Sequence, residues 1–220
     1  MKKVDLLLFG ATRHTGFSIA RLAVGKGETV AVMARKESDV SGLETLGVTV
    51  VRGDAFDIQD CRRTLNEIRP RRVVSLMGGK NAQGRRVCGE GNINVIRALK
   101  ESDAVERILL VTSMGCGEQY EALNDHVKKF LGEALLAKTE AENYLKESGL
   151  PWTIVRPGGL SDKPASGNFC LLDEPDGSRK GYVSRGDVAA AVLRVLDDPV
   201  WLYRAVTVQC DKGVEDGIQA

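Results

Sequence analysis

The chain opens with the apolar run Val4–Phe9, which leads directly into Gly10-Ala11-Thr12-Arg13-His14-Thr15-Gly16. Gly10 permits a sharp turn out of a strand, and Gly16 allows the following helix to pack closely on the sheet. The backbone N–H groups at the start of such a helix are free to bind a pyrophosphate. The glycines stand between a predicted strand and a predicted helix, so they indicate dinucleotide binding rather than a structural turn alone.

Apolar runs of strand length alternate with helix-length segments along almost the whole chain. The runs are continuous, which is typical of parallel strands covered on both faces. The predicted strands are Val4–Phe9, Thr29–Ala34, Val48–Val51, Arg72–Met77, Arg107–Thr112, Trp152–Val155 and Ala205–Val208. The predicted helices are the segment from the glycine loop to Gly25, then Ile58–Ile68 with Asp57 as N-cap, Arg86–Glu101, Asn124–Ser148 and Gly186–Leu196.

This order predicts an α/β fold, a single Rossmann-type doubly wound parallel sheet with helices on both faces. We expect the NAD(P)-binding domain to occupy residues 1–210. Within it, the long polar segment around 161–182 is expected to act as a substrate lid. Residues 211–220 are expected to form a frayed tail.

Composition and charge argue against several functional classes. A formal net charge of +1 gives no electrostatic reason to expect binding to nucleic acid or to an anionic membrane. Leu6–Phe9 is too short for a signal-peptide core, and no window approaches about 18 apolar residues, so we expect a cytoplasmic protein. The 5 cysteines are scattered without a C-x-x-C pair, and there are 2 histidines, a pattern that predicts reduced thiols and no metal site.

Two arginines indicate which dinucleotide is bound. Arg13 stands where the G-x-x-G-x-x-G pattern has its middle glycine, so its side chain must point away from the pyrophosphate. The second strand ends in Ala34-Arg35-Lys36, where NAD-specific folds place an acid for the ribose 2′-hydroxyl. Arg13 and Arg35 can converge on a 2′-phosphate through charge-assisted bonds. The sequence therefore predicts NADP as the cofactor.

Two later segments extend this predicted cofactor site. Asp54 follows the third strand, at a position where an aspartate can bind the adenine amino group. Met77 and Gly78 follow the fourth strand, where glycine leaves room for the ribose and pyrophosphate to pass.

Several ordered motifs resemble those of a known family. The chain is similar to the atypical short-chain dehydrogenases/reductases, in the NAD(P)H-binding branch that contains biliverdin IX-beta reductase (flavin reductase). The resemblance covers about residues 3–209. It is carried by Gly10–Gly16, Gly53-Asp54, Glu90-Gly91 with Asn94, Val111-Thr112-Ser113, the segment 145–150, Val155-Arg156-Pro157-Gly158 and Ser184-Arg185-Gly186-Asp187-Val188.

The resemblance implies two catalytic residues, Ser113 after the fifth strand and Lys138 on the following helix. Ser113 would lie beside the nicotinamide and the acceptor, and Lys138 would bind the nicotinamide ribose. Ala134 occupies the position of the Tyr in the usual Tyr-x-x-x-Lys motif, so the ordinary proton donor to a carbonyl is missing. The flavin and bilin reductases of this branch also lack that Tyr. Tyr120, Glu118 and His126 are the candidates that could replace it.

The family also implies that the segment after the sixth strand lines the nicotinamide. We expect Phe169 or the cofactor itself to stack on the acceptor. The predicted cofactor contacts are Gly10, Thr12, Arg13, His14, Thr15, Gly16, Arg35, Asp54, Ala55, Met77, Gly78, Thr112, Lys138, Pro157, Gly158, Gly159 and Leu160.

The resulting expectation is an NADPH-dependent oxidoreductase that transfers hydride to a flavin, a bilin or a similar conjugated acceptor, as a monomer or weak homo-oligomer. One alternative is a non-catalytic NADP(H)-binding redox sensor, because the missing Tyr is compatible with that role too. Another is a reductase of small quinones or aldehydes with Tyr120 as the acid.

Overall fold

The computed structural model describes residues 4–102 and 105–211, and strands alternate with helices along them as the apolar runs predict. The strands are β1 (Val4–Phe9), β2 (Val30–Ala34), β3 (Thr49–Arg52), β4 (Pro70–Ser75), β5 (Arg107–Val111), β6 (Trp152–Pro157), β7 (Leu160–Ser161), β8 (Phe169–Leu172), β9 (Val183–Ser184) and β10 (Arg204–Cys210). The helices are α1 (His14–Gly25), α2 (Ser41–Thr45), α3 (Ile58–Ile68), α4 (Asn92–Lys100), α5 (Asp125–Lys146) and α6 (Arg185–Asp197).

Eight strands form one sheet in the order β3-β2-β1-β4-β5-β6-β10-β8. Every neighbouring pair is parallel except β10 and β8. In the centre, Leu7 of β1 is in register with Ala31 of β2 and with Val73 of β4. The strand order reverses between β1 and β4, and a crevice outside the carboxyl ends of the strands opens at such a switch point.

Two apolar layers cover the sheet, one on each face. α1 and α6 pack on one face, with Ile19 and Val192 fully buried there. α3, α4 and α5 pack on the other face through residues such as Leu65, Val95 and Leu145. Both faces of each central strand are therefore buried, which explains the continuous apolar runs. The predicted doubly wound fold is confirmed.

Two predicted elements differ in detail. β4 begins at Pro70 rather than at Arg72, because Pro70 is in register with Val4 at the start of β1. The helix predicted from Arg86 divides into a π-helical turn, Val87–Gly91, and α4. A Cβ on Gly91 would lie 2.6 Å from Cγ2 of Val87, so the wide turn depends on this glycine.

The segment 161–182 is more ordered than a polar loop, since it contains β8. This strand pairs antiparallel with β10, and Cys170 lies opposite Gln209. The carboxylate of Asp187, in the first turn of α6, accepts from the backbone N–H groups of Ser166 (3.1 Å) and Gly167 (2.8 Å). Burial alone would raise the pKa of Asp187, but these hydrogen bonds outweigh it and lower that pKa below 3.8. One end of the segment is thus attached to α6.

Other predictions are local. Asp57 is the N-cap of α3, since its Oδ1 accepts from the N–H of Gln59 at 2.8 Å. All five cysteines are free thiols, and burial raises the pKa of Cys61 to about 12 and that of Cys116 to about 11. The described part of the chain contains no helix long and apolar enough to span a membrane. Of the predicted tail, residues 212–220 lie outside the described residues.

Candidate active site

A cavity of about 1020 Å³ opens at the carboxyl ends of the central strands. It runs from the loops after β2 and β3, past the glycine loop, to the segments after β5 and β6. Its wall contains every predicted catalytic and cofactor residue except one, namely Gly10, Thr12, Arg13, His14, Thr15, Gly16, Arg35, Asp54, Ala55, Met77, Gly78, Thr112, Ser113, Lys138, Pro157, Gly158 and Leu160. Residues far apart in sequence thus meet at one surface.

The glycine loop has the geometry of a phosphate cradle. Gly10 has φ +89°, a left-handed conformation that favours glycine. A Cβ on Gly16 would lie 2.5 Å from the carbonyl oxygen of Gly10 and 2.6 Å from Cα of Ala11. No side chain caps the N-terminus of α1, and its first turn carries no acid. The first N–H groups of this helix are therefore available to an anion, as a pyrophosphate requires.

The loop after β2 presents charges of both signs to the cavity. Arg35 lies on the wall as predicted, but Lys36 does not, and Glu37 and Asp39 do. Nη1 of Arg35 lies 3.3 Å from Oε1 of Glu37, and both side chains are more than half exposed. The carboxylate of Asp39 accepts from the backbone N–H of Ser41, which lowers the pKa of Asp39 below 3.8.

A residue that the sequence did not indicate holds this loop in place. Nη1 of Arg52, at the end of β3, donates to the carbonyl oxygens of Arg35 (2.8 Å) and Ser38 (2.9 Å). Arg52 is absent from the cavity wall and acts through the backbone. On the neighbouring loop, Oδ1 of Asp54 accepts from the N–H of Phe56 at 2.9 Å.

At the opposite end, three of the predicted site residues, Thr112, Ser113 and Lys138, lie on the wall together. Nζ of Lys138 donates to the carbonyl oxygen of Thr112 at 3.0 Å, directly before Ser113. The hydroxyl of Thr112 donates to Oε1 of Glu142, one turn further along α5, at 2.6 Å. The carbonyl oxygen and the hydroxyl of Thr112 are thereby both bound by α5, and Ser113 and Lys138 are held on one surface.

Glu142 belongs to a buried ionic network that the sequence analysis missed. Glu142 is 0% exposed and Arg156 is 1% exposed, and Oε2 of Glu142 lies 2.5 Å from Nη2 of Arg156. Arg156 also binds Glu118. Burial alone would lower the pKa of Arg156, but the hydrogen bonds to Glu142 and Glu118 raise it above its ordinary value. An arginine inside an apolar strand is a sequence signal for such a partner, because an unpaired buried charge is strongly destabilising.

The three candidates for the missing acid lie elsewhere. Glu118 binds Arg156, the ring of Tyr120 has Nζ of Lys128 at 5.5 Å from its centroid, and the ring of His126 lies 4.7 Å from that of Phe130. Among the described residues, the cavity wall includes none of the three. The position one turn before Lys138 is Ala134, which has no proton to donate.

Comparison with known proteins agrees with this geometry. A sequence family described as NAD(P)H-binding matches residues 10–199, which is most of the chain. The chain belongs to this NAD(P)H-binding family. The resemblance to atypical short-chain dehydrogenases/reductases is thereby confirmed.

Among solved structures, this family member is similar to ChuY, an anaerobilin reductase from Escherichia coli O157:H7. The TM-score is 0.83 at 28% sequence identity, over 94% of this chain and 98% of ChuY. Sanguinarine reductase of Eschscholzia californica is 36% identical over 110 residues, which are 49% of this chain and 39% of that protein. A chloroplastic protein of Arabidopsis thaliana, At2g34460, is 28% identical over 89% of this chain and 73% of its own length.

Two predictions about this NAD(P)H-binding site need correction. Gly159 is the one predicted residue missing from the cavity wall. Its carbonyl oxygen accepts from the N–H of Val183 at 2.8 Å, and a Cβ on it would lie 2.8 Å from the ring of Tyr182. The missing side chain of Gly159 thus leaves room for the ring of Tyr182. Phe169 is not on the wall either: at the start of β8 it pairs with Cys210 of β10, and its side chain packs against the apolar core.

The structure also adds residues to the wall. Arg185 and Val188, from the first turn of α6, lie beside Leu160. Lys80 lies on the wall after β4, and its Nζ donates to Glu133 of α5 at 2.8 Å. The motif at 184–188 marked this segment in the sequence, but nothing local indicated that it reaches the cavity.

Proposed function

We propose that this protein is an NADPH-dependent reductase that transfers hydride to a planar conjugated acceptor, a flavin or a bilin. One observation carries the proposal. Ser113 and Lys138 lie on the wall of a dinucleotide-sized cavity, while the position that would hold a carbonyl-protonating Tyr is Ala134. A conjugated acceptor delocalises the incoming electrons and can take its proton from solvent, so it has little need of a placed acid.

The residues of the cavity fit a dinucleotide along its whole length. The uncapped start of α1 and the space left by Gly16 suit the pyrophosphate. Bound NADPH would supply the hydride. Lys138 has donors beyond the one used on Thr112, and these can bind the hydroxyls of the nicotinamide ribose.

Preference for NADPH over NADH rests on Arg13 and Arg35. Guanidinium groups form strong paired hydrogen bonds with phosphate oxygens. The nearby Glu37 already contacts Arg35, and a 2′-phosphate would compete with that carboxylate. Because the Arg35–Glu37 pair is exposed, replacing Glu37 by a phosphate should cost little free energy, since exposed ion pairs contribute about 0–1 kcal/mol.

Two relatives support the reductase assignment by name. ChuY, similar over nearly its whole length, is named an anaerobilin reductase, and the relative from Eschscholzia californica is named sanguinarine reductase. The identity of the acceptor is the part of the proposal that the following experiment determines.

The test is a spectrophotometric screen at 340 nm of NADPH and NADH oxidation with FMN, biliverdin and small quinones. We expect turnover with NADPH and at least one flavin or bilin. Tight NADPH binding without turnover of any conjugated acceptor would contradict the reductase proposal. It would favour the redox sensor, a role that is also compatible with the missing Tyr. Turnover confined to quinones or aldehydes, and abolished by Tyr120→Phe, would favour the third alternative.

A further inference from the structure

Arg185 presents an unused guanidinium edge to the cavity. Its Nε donates to Oδ1 of Asp162 at 2.7 Å. Neither of its two terminal nitrogens has a hydrogen-bond partner among residues 4–102 and 105–211. Its side chain is 30% exposed and lies on the cavity wall. The pair of terminal nitrogens of a planar guanidinium is suited to bind a carboxylate or a phosphate through two parallel hydrogen bonds.

The short sheet of β7 and β9 sets this geometry. Leu160 pairs with Val183 and Ser161 with Ser184, so the residues that follow, Asp162 and Arg185, emerge side by side. Asp162 binds only the Nε edge, and the rest of the guanidinium remains available. Leu160, 37% exposed, gives the adjacent wall an apolar surface on which a flat ring can lie.

The position of Arg185 separates it from the predicted phosphate sites of the cofactor. Arg185 shares the wall with Pro157, the last residue of β6, and with Gly158, which follows it. In the sheet order, β6 lies three strands from β1, which carries the glycine loop, and four from β2, which leads to Arg35. At about 4.8 Å per strand these separations are about 14 and 19 Å. Arg185 directly follows β9, whose partner β7 comes just after β6, so an anion bound at Arg185 lies on the β6 side of the cavity.

We propose that Arg185 binds an anionic group of the acceptor, a phosphate or a carboxylate, while the ring system lies against Leu160. This inference rests on the proposed reductase function and deepens it. The acceptor is then a planar, conjugated anion rather than a neutral one. Arg185 is a specificity-determining residue that takes no part in the hydride transfer.

Matched acceptors test this directly. FMN and riboflavin share one ring system and differ in the phosphate, and biliverdin and its dimethyl ester differ in the carboxylates. We expect kcat/KM to favour the anionic member of at least one pair by about tenfold or more, as bonds to a charged group allow. Arg185→Gln should remove that preference, with the neutral member and the KM for NADPH changing less than about twofold.

Arg194→Gln is the control, because it removes the same charge from the other end of α6. It should leave the preference intact. Equal activity with both members of both pairs in the unmodified protein would overturn the inference. So would a loss of NADPH affinity in Arg185→Gln, since Arg185 would then bind the cofactor.

A binding experiment tests the role of Arg185 independently of whether the protein is a reductase. The same four compounds are titrated into the protein saturated with NADP⁺, following flavin fluorescence or bilin absorbance. Tighter binding of the anionic member that depends on Arg185 supports the inference even without turnover. Binding that is equal for both members, or unaffected by Arg185→Gln, contradicts it even if the protein is an active reductase.

Discussion

The ammonium group of Lys138 donates to the carbonyl oxygen of Thr112 at 3.0 Å, so a helix residue is bound to the strand end that carries Ser113. The same threonine donates its hydroxyl to Glu142, which in turn binds Arg156 of β6. The part of the cavity wall that carries Ser113 and Lys138 is thus supported by a buried network. The network links Thr112, directly after β5, to Glu142 of α5 and Arg156 of β6.

Removal of Glu142 tests that network. Glu142→Ala leaves the buried Arg156 with Glu118 alone and Thr112 without its acceptor. Breaking a buried ion pair from one side costs about 3–5 kcal/mol, so the free energy of unfolding in urea should fall by roughly 3 kcal/mol. Glu140→Ala, at an exposed position of the same helix, should change it by less than about 0.5 kcal/mol. Similar losses in both variants would show that the pair contributes nothing specific.

Arg35 should decide between the two nucleotides. Loss of charge-assisted bonds to a 2′-phosphate predicts that Arg35→Ala weakens NADPH binding by about tenfold or more and leaves NADH nearly unchanged. The neighbouring cation Lys36 is off the cavity wall, so Lys36→Ala should have little effect on either nucleotide. Titration of both nucleotides measures this. Equal losses for NADPH and NADH in Arg35→Ala would exclude the 2′-phosphate assignment.

Substitutions of the two glycines at the opposite ends of α1, Gly16 and Gly25, should affect nucleotide binding very differently. In Gly16→Val the new Cβ would overlap the backbone of Gly10 and Ala11, and nucleotide binding should be abolished. Gly25→Ala, at the other end of the helix, meets no atom within 4 Å and should bind normally. Circular dichroism establishes that both variants fold. A folded Gly16→Val that still binds NADPH would show that the phosphate lies elsewhere.

The chemistry at Ser113 should depend little on a protein acid. We expect Ser113→Ala to lower turnover of FMN by an amount equivalent to one hydrogen bond, about 0.5–1.5 kcal/mol. Ala134→Tyr should give little gain, and the rate should show no single titrating group near neutral pH beyond what binding imposes. NADPH absorbance followed at several pH values checks all three. A loss of several orders of magnitude in Ser113→Ala would instead indicate an acid–base relay through this serine.

The pair of Glu118 and Arg156 predicts acid sensitivity. The hydrogen bond from Arg156 lowers the pKa of Glu118 from 4.5 to about 2 in the folded protein. A lowered pKa contributes stability that is complete above about pH 4.5 and is lost as the pH falls towards 2. Glu118→Gln should therefore be less stable than the unmodified protein at pH 7, with the difference shrinking between pH 4.5 and 2. A difference that is constant with pH would mean that the charge of Glu118 is irrelevant.

Local patterns were sufficient for most of the fold. The continuous apolar runs, the cap at Asp57 and the glycines at 10 and 16 each depend on neighbours within a few residues, so β1, α3 and the phosphate loop follow from them directly. The same holds for the absence of a Tyr at Ala134, which is visible in the sequence. β8 was missed because its apolar run is only 4 residues long and lies within a polar segment.

The rest depends on contacts between distant residues. Arg156 meets Glu142 and Glu118, and Arg185 meets Asp162, only because parallel strands bring the ends of several segments to one edge of the sheet. Gly159 also depends on a distant residue. It matched a cofactor-binding pattern in the sequence, but in the structure the ring of Tyr182 occupies the space where its side chain would lie. Local sequence alone determined the fold, the glycine loop and most of the predicted site residues that reach the cavity, because strand, helix and turn formation are governed by short-range sterics and apolar spacing. Tertiary structure alone decided which charges are paired and which, as on Arg185, remain free for a ligand, because pairing depends on register between strands far apart in the chain.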